Sequence, residues 1–180
     1  PGVSKGCVLA LHRAFHNALT AASGPLFYVT NSTAVITLKN VGVTAASGTL
    51  IKASAGNWGT SGTNGGTVVL TADAQSLTGD MTADNISSIA ATLKNGSSLK
   101  GAINTARTAK SVSLTLDATS SWTVTADSCL TSLTDSAITG TTISNIIGNG
   151  HTVTYVSSAN PGLGGKTYTL SGGGTLKPAS

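Results

Sequence analysis

Leu93-Lys-Asn-Gly-Ser-Ser-Leu99 and Leu170-Ser-Gly-Gly-Gly-Thr-Leu176 follow one plan. A large apolar residue opens each stretch, small polar residues and turn formers follow, and a second apolar residue closes it. The plan recurs at an interval: Leu70, Leu93 and Leu116 fall 23 residues apart, as do Ile147 and Leu170. Their closing partners are Leu77, Leu99, Trp122, Val153 and Leu176. A fixed period near 20 residues marks a solenoid, in which each unit is one coil and buries its apolar side only by stacking on the next.

Alternation around the repeated leucines sets the expected faces. Val68, Ala91, Leu114, Asn145 and Tyr168, two positions earlier, should point inward with them. Val69, Thr92, Thr115, Ile146 and Thr169 should point outward, as should Thr67, Ala90, Ser113, Ser144 and Thr167. Lys94 and Asp117 follow the leucines of adjacent coils and are expected to pair. Upstream, Leu26–Thr30, Ala34–Leu38 and Gly48–Lys52 read as further strands of β-branched and aromatic residues. Residues 55–66, Ala-Gly-Asn-Trp-Gly-Thr-Ser-Gly-Thr-Asn-Gly-Gly, are too rich in glycine for a strand and read as a loop carrying Trp58. A second insertion is expected near 127–142, to explain the longer step from Leu116 to Ile147.

The first 20 residues depart from this pattern. Val8, Leu11, Phe15 and Leu19 recur at helical spacing, Ser4 suits an N-cap and Gly24-Pro25 a stop. The spacing predicts a short amphipathic helix over residues 5–20 that covers the open end of the stack, with a degenerate first coil as the rival reading. The organisation read from the chain is therefore a cap segment at 1–24 and a parallel β-helix domain at 25–180. His12 and His16 would lie four apart on the polar side of that helix, with no carboxylate nearby to complete a metal site.

Composition narrows the function. Of 180 residues, 9% are charged and 39% hydrophobic, and mean hydropathy is positive, so the chain has the apolar material to fold. Glutamate is absent, and the net charge of +4 reflects missing acids rather than a basic patch. Lys39, Lys52, Lys94, Lys100, Arg107, Lys110, Lys166 and Lys177 are scattered singly, without interleaved aromatics, which argues against nucleic acid as a partner. No apolar run reaches the ~18–20 residues of a membrane span. The opening at Pro1 suits a processed or truncated start. Cys7 and Cys129 allow one disulfide or two buried thiols and give no metal framework.

Gly148-Asn-Gly-His-Thr-Val153 resembles the Gly-Asn-Gly-His-Thr-(Ile/Val) turn of right-handed parallel β-helix proteins of the pectin-lyase-like architecture. Coils from about Leu26 to Lys177 also resemble secreted or surface-attached bacterial β-helix proteins of adhesin-like type. The resemblance implies a three-faced right-handed helix of short parallel strands, and an extracellular or cell-surface setting.

Enzymes of that architecture need clustered carboxylates, or an acidic Ca²⁺ site beside an Arg or Lys base. Asp73, Asp80, Asp84, Asp117, Asp127 and Asp135 are spread over different coils, and only Asp80 and Asp84 are close enough to suggest a weak cation site. His151 is the one histidine within a repeat, with Ser113 and Ser144 as conceivable partners, and it reads as a turn residue. No catalytic residue, metal site or cofactor is expected. The sequence therefore points to a non-catalytic structural or adhesive module, contacting a polysaccharide or cell-surface ligand through its sheet faces and loops. An alternative is ice binding through outward Thr-x-Thr pairs, and a second is a polysaccharide lyase or hydrolase. Thr67, Thr92, Ser113, Thr115, Thr167, Thr169 and Trp58 are the candidate contact residues. Exposed strand edges at the ends of the stack also suggest head-to-tail self-association.

Overall fold

Side chains that alternate small-polar with aliphatic cannot bury both sides of a strand, so each strand turns one side inward and the chain coils to bring the apolar sides together. The computed structural model, which describes residues 6–12 and 18–179, is a parallel β-solenoid of about seven turns. Its first coil contains β1 (Gly6–His12), β2 (Ala18–Ala21) and β3 (Phe27–Val29). The second contains β4 (Ser32–Lys39), β5 (Gly42–Ala45) and β6 (Thr49–Ala53), and the third β7 (Gly66–Asp73), β8 (Ser76–Thr78) and β9 (Asp80–Ala83). Next come β10 (Ser88–Lys94) and β11 (Ser98–Lys100), then β12 (Ser111–Leu116), β13 (Ser121–Thr123) and β14 (Ser128–Leu130). The last coils hold β15 (Ser132–Asp135), β16 (Ile138–Thr139), β17 (Thr142–Ile147), β18 (Thr152–Tyr155), β19 (Tyr168–Ser171) and β20 (Thr175–Pro178).

Stacking the coils produces three faces. The most regular is a six-stranded sheet in the order β1-β4-β7-β10-β12-β15, parallel throughout. The second carries β2-β5 and then β8-β11-β13-β17-β19, and the third carries β3-β6-β9 and then β14-β18-β20. Between the two parts of the third face, Ile103 bridges to Met81 and accepts a hydrogen bond from Cys129 N–H (3.0 Å).

Inside, like positions form files that run along the stack. Leu9, Ile36, Leu70, Ala91, Leu114 and Leu133 make one file, and Leu11, Leu38, Ala72, Leu93 and Leu116 the next. On the second face Leu77, Leu99, Trp122 and Ile146 lie over one another. Each fully buried aliphatic contributes roughly 1.5–3 kcal/mol before its lost conformational entropy is subtracted. The corners are polar but satisfied. Gln75 is buried and exchanges two hydrogen bonds with the backbone of Val41 (2.7 and 2.8 Å). Buried Ser87, Ser97, Ser120 and Ser128 each accept from a backbone N–H of an adjacent coil.

Three sequence expectations are corrected. Gly6–His12 and Ala18–Ala21 are strands, so the helix over 5–20 does not form there, and the rival first-coil reading is the structure. Parallel pairing decides it: all seven residues of β1 register with Thr33–Lys39, which satisfies its backbone against the neighbouring coil. Phe15, His16 and the side chain of His12 lie outside the described residues. Second, the five repeat-marking residues are not one file. Leu70 stacks on Ala91 and Leu93 on Ala72, a slip of two, while Ile147 and Leu170 belong to the second face, on β17 and β19. Coil length varies, so a constant interval of 23 carries the count off the true register. Third, Ser128–Leu130 and Ser132–Asp135 are regular strands, and the departure from the coil is the antiparallel pairing of β16 with β17.

The far end is closed. β19 and β20 pair antiparallel, and two short 3-10 turns, Ser157–Ala159 and Pro161–Leu163, lie between β18 and β19, the second burying its own Leu163. Asn160 between them is buried; its Oδ1 accepts from Leu133 N–H (2.8 Å) and its Nδ2 donates to Thr131 O (2.8 Å) and Val156 O (2.7 Å).

Replacing Leu116, fully buried in its file, by alanine is expected to lower unfolding free energy by about 2–5 kcal/mol. Thr115→Ala, one residue away on the outer side, should change it by no more than about 0.5 kcal/mol. Urea denaturation of the two variants measures the contrast.

Candidate functional site

Outward positions of the six-stranded face form continuous rows along the stack. Thr37, Thr71, Thr92, Thr115 and Thr134 occupy matching positions on five consecutive strands, β4, β7, β10, β12 and β15. Neighbouring strands in a sheet lie ~4.8 Å apart, so this row repeats at that spacing. A second row reads Thr33, Thr67, Ser88 and Ser111. Between them run Val35, Val69, Ala90, Ser113 and Ser132. These rows contain only hydroxyl and small apolar side chains, with Val35 and Val69 both exposed. Short β-branched side chains keep such a surface rigid, because threonine and valine have few rotamers to lose.

One edge of the face is charged. Asp73 lies between Lys39 (3.4 Å) and Lys94 (3.8 Å), and Asn95 Nδ2 donates to its Oδ1 (2.8 Å). The Asn95 hydrogen bond and the two lysines hold the Asp73 carboxyl below its ordinary value, against the effect of burial. Lys94 thus pairs with Asp73 and not with Asp117. Asp117 instead accepts from Asn95 N–H (2.6 Å), Thr119 N–H (3.0 Å) and Thr119 Oγ1 (2.8 Å), bracing one coil's turn against the next.

Of the residues picked from sequence, Thr67, Thr92, Ser113 and Thr115 come together on this face. Thr169 is exposed on β19, and Thr167 precedes that strand, so both lie off it on another side of the solenoid. Trp58 is 57% exposed, on the loop between β6 and β7. Ile146, expected outside, is fully buried beneath a bulge in β17. Thr37, Thr71 and Thr134 were missed; shifting the alignment of the third and fourth coils by two residues, which leaves every side chain on the same side, would have brought Thr71 beside Thr92.

The remaining candidate chemistry is engaged in structure. Asp80 Oδ1 accepts from Ala102 N–H (2.8 Å), and Asp84 accepts from Ala55 N–H (2.7 Å) and Ile86 N–H (3.3 Å). Burial raises the Asp84 carboxyl, but hydrogen bonds from Ser87, Ala55 and Ile86 outweigh it and hold it low. His151 Nδ1 faces Asp127 Oδ1 at 3.7 Å, and that carboxylate accepts from Thr152 N–H (2.8 Å). Among the described residues no three His, Cys, Asp or Glu side chains form a metal-sized group, and no helix is long and apolar enough to cross a membrane. Cys7 and Cys129 are free thiols.

These features define a parallel β-solenoid with rows of hydroxyl-bearing side chains on one face. No protein-family model matches the chain, and no curated protein or solved structure matches it.

Two aspartates should give opposite pH effects. Burial acts to raise the Asp117 carboxyl, but its hydrogen bonds with Asn95, Ser120 and Thr119 prevail and lower it from 3.8 to about 2. Its charged form therefore stabilises the fold above the unfolded value, and that contribution is lost as pH falls through about 2. Asp135 is raised by burial, which exceeds the lowering by its hydrogen bonds from Ala137 and Asn145. Its Oδ2 and Asn145 Oδ1 are buried without a partner among the described residues. Keeping it charged costs stability, and the cost disappears as pH falls through the raised value. In thermal melts at neutral pH, Asp117→Asn should be less stable than the parent and Asp135→Asn more stable. Both differences should shrink on acidification.

Proposed function

We propose that the chain is a non-catalytic structural and adhesive module of a secreted or surface-attached protein, and that it makes contact through its six-stranded face. The observation that carries this reading is the unbroken row Thr37-Thr71-Thr92-Thr115-Thr134, flanked by a row of valine, alanine and serine. A surface with hydroxyls and methyls at one spacing suits a partner that is itself regularly repeating, such as a packed polysaccharide. Few polar groups need to be desolvated without a partner, and little side-chain entropy is lost on contact.

The same row supports a second reading. A threonine ladder at ~4.8 Å offers a hydroxyl and a methyl per coil, the surface an ice-binding face needs. The parallel row Thr33-Thr67-Ser88-Ser111 doubles it across the valine row.

Co-sedimentation with insoluble cellulose and chitin tests the adhesive reading. The chain is expected to pellet with at least one of them, and the double variant Thr92→Lys/Thr115→Lys to lose about tenfold in affinity, the equivalent of ~1.4 kcal/mol, with an unchanged melting curve. Equal binding by the double variant would remove the face as the contact surface. Thermal hysteresis and ice-crystal shape, measured on the same two proteins, decide the second reading: faceted crystals with the parent and round ones with the variant support it, and round crystals with both exclude it.

A further inference from the structure

The middle row of the six-stranded face changes character along the stack. In register it reads Val8, Val35, Val69, Ala90, Ser113 and Ser132. Val8 is 76% exposed, Val35 37% and Val69 38%, whereas Ala90, Ser113 and Ser132 are half-buried. Among the described residues five large apolar side chains are exposed, and three of them are these valines, side by side on β1, β4 and β7. A single exposed valine needs no account, but a continuous apolar stripe marks a contact surface.

Threonines flank the stripe on both sides, Thr33 and Thr67 on one and Thr37 and Thr71 on the other. These rows hold no Lys, Arg, Asp or Glu. The charges at the strand ends answer one another, since Asp73 lies between Lys39 (3.4 Å) and Lys94 (3.8 Å). Such a surface complements an uncharged polymer. A uronate or sulfated chain would give up hydration here without meeting an opposite charge of its own. Strands ~4.8 Å apart space the valines at about the length of one sugar ring in an extended chain. Each ring carries an apolar C–H face edged by hydroxyls, which matches a valine between two threonines.

We propose that an extended, uncharged polysaccharide chain lies along this row, with the C–H faces of consecutive rings on Val8, Val35 and Val69 and their hydroxyls against the flanking threonines. The inference rests on the adhesive reading of the six-stranded face and deepens it: affinity is concentrated in the first three coils, and the serine end of the row adds little. The bound chain runs on past β10, so the Thr92→Lys/Thr115→Lys double variant obstructs it as well.

Co-sedimentation with insoluble cellulose, chitin and pectate reads the proposal, pectate being the anionic control. The parent should pellet with cellulose or chitin and not with pectate. Val35→Ser/Val69→Ser gives the early coils the chemistry of the late ones and should weaken binding at least about tenfold. Val35→Thr/Val69→Thr keeps the β-branched shape and strand preference, and its weaker binding would show that misfolding is not the cause. Ser113→Val/Ser132→Val extends the stripe and should strengthen binding severalfold. Parental affinity in both valine pairs, with binding still lost in Thr92→Lys/Thr115→Lys, overturns the stripe and leaves the adhesive face standing. Pelleting with pectate alone overturns the uncharged chain, and no pelleting with any of the three overturns both readings. A parent that binds no polysaccharide but sediments as a dimer, and as a monomer after Val35→Ser/Val69→Ser, gives the stripe to a second copy and overturns the proposal.

Discussion

Coil-to-coil backbone hydrogen bonding is the interaction on which this molecule depends. Interior coils satisfy their strand N–H and C=O groups against the coils above and below, so no coil is stable alone. That constraint makes residue parity more important than residue identity. Along the six-stranded face the step between matching residues is 34 from Ile36 to Leu70, 21 from Leu70 to Ala91, 23 from Ala91 to Leu114 and 19 from Leu114 to Leu133. Turns and the loop at 54–65 absorb the differences, while the alternation within strands keeps apolar side chains inward on every coil.

Parity also explains how far the sequence could be read. The stacked-coil architecture was legible because leucines and turn formers recur together, as in Leu93–Leu99. Register was not, since a slip of two residues returns each side chain to its own side. Leu70 and Leu93 both point inward, yet they stand in neighbouring files. Face assignment failed beyond Leu116 because nothing in the spacing tells which of three faces a strand joins. For the same reason Thr67, Thr92, Ser113 and Thr115 were placed together correctly, and Thr167 and Thr169 were not. At the first coil, Val8, Leu11 and Leu19 imitate a helix, but the pattern is local, and pairing with β4 supplies what a short isolated helix could not.

The surface divides into regions with different physics. Rows of threonine, serine and valine on the six-stranded face are rigid and mostly uncharged, with the Lys39–Asp73–Lys94 chain confined to one edge. Carboxylates elsewhere mostly brace turns: Asp84, Asp117 and Asp80 each accept from backbone N–H groups of a neighbouring coil. Asp135 differs, with one oxygen buried and unpartnered, and it marks the coil where the antiparallel β16–β17 pairing interrupts the regular winding.

Asn160 gives the array a direction. By occupying Leu133 N–H and Thr131 O, its side chain consumes hydrogen-bonding groups that an added strand would need at the edge of β15. An incoming copy would have to evict this plug before it could dock there. The Asn160 side chain thereby withdraws from this edge the donor and acceptor that edge-to-edge association would use.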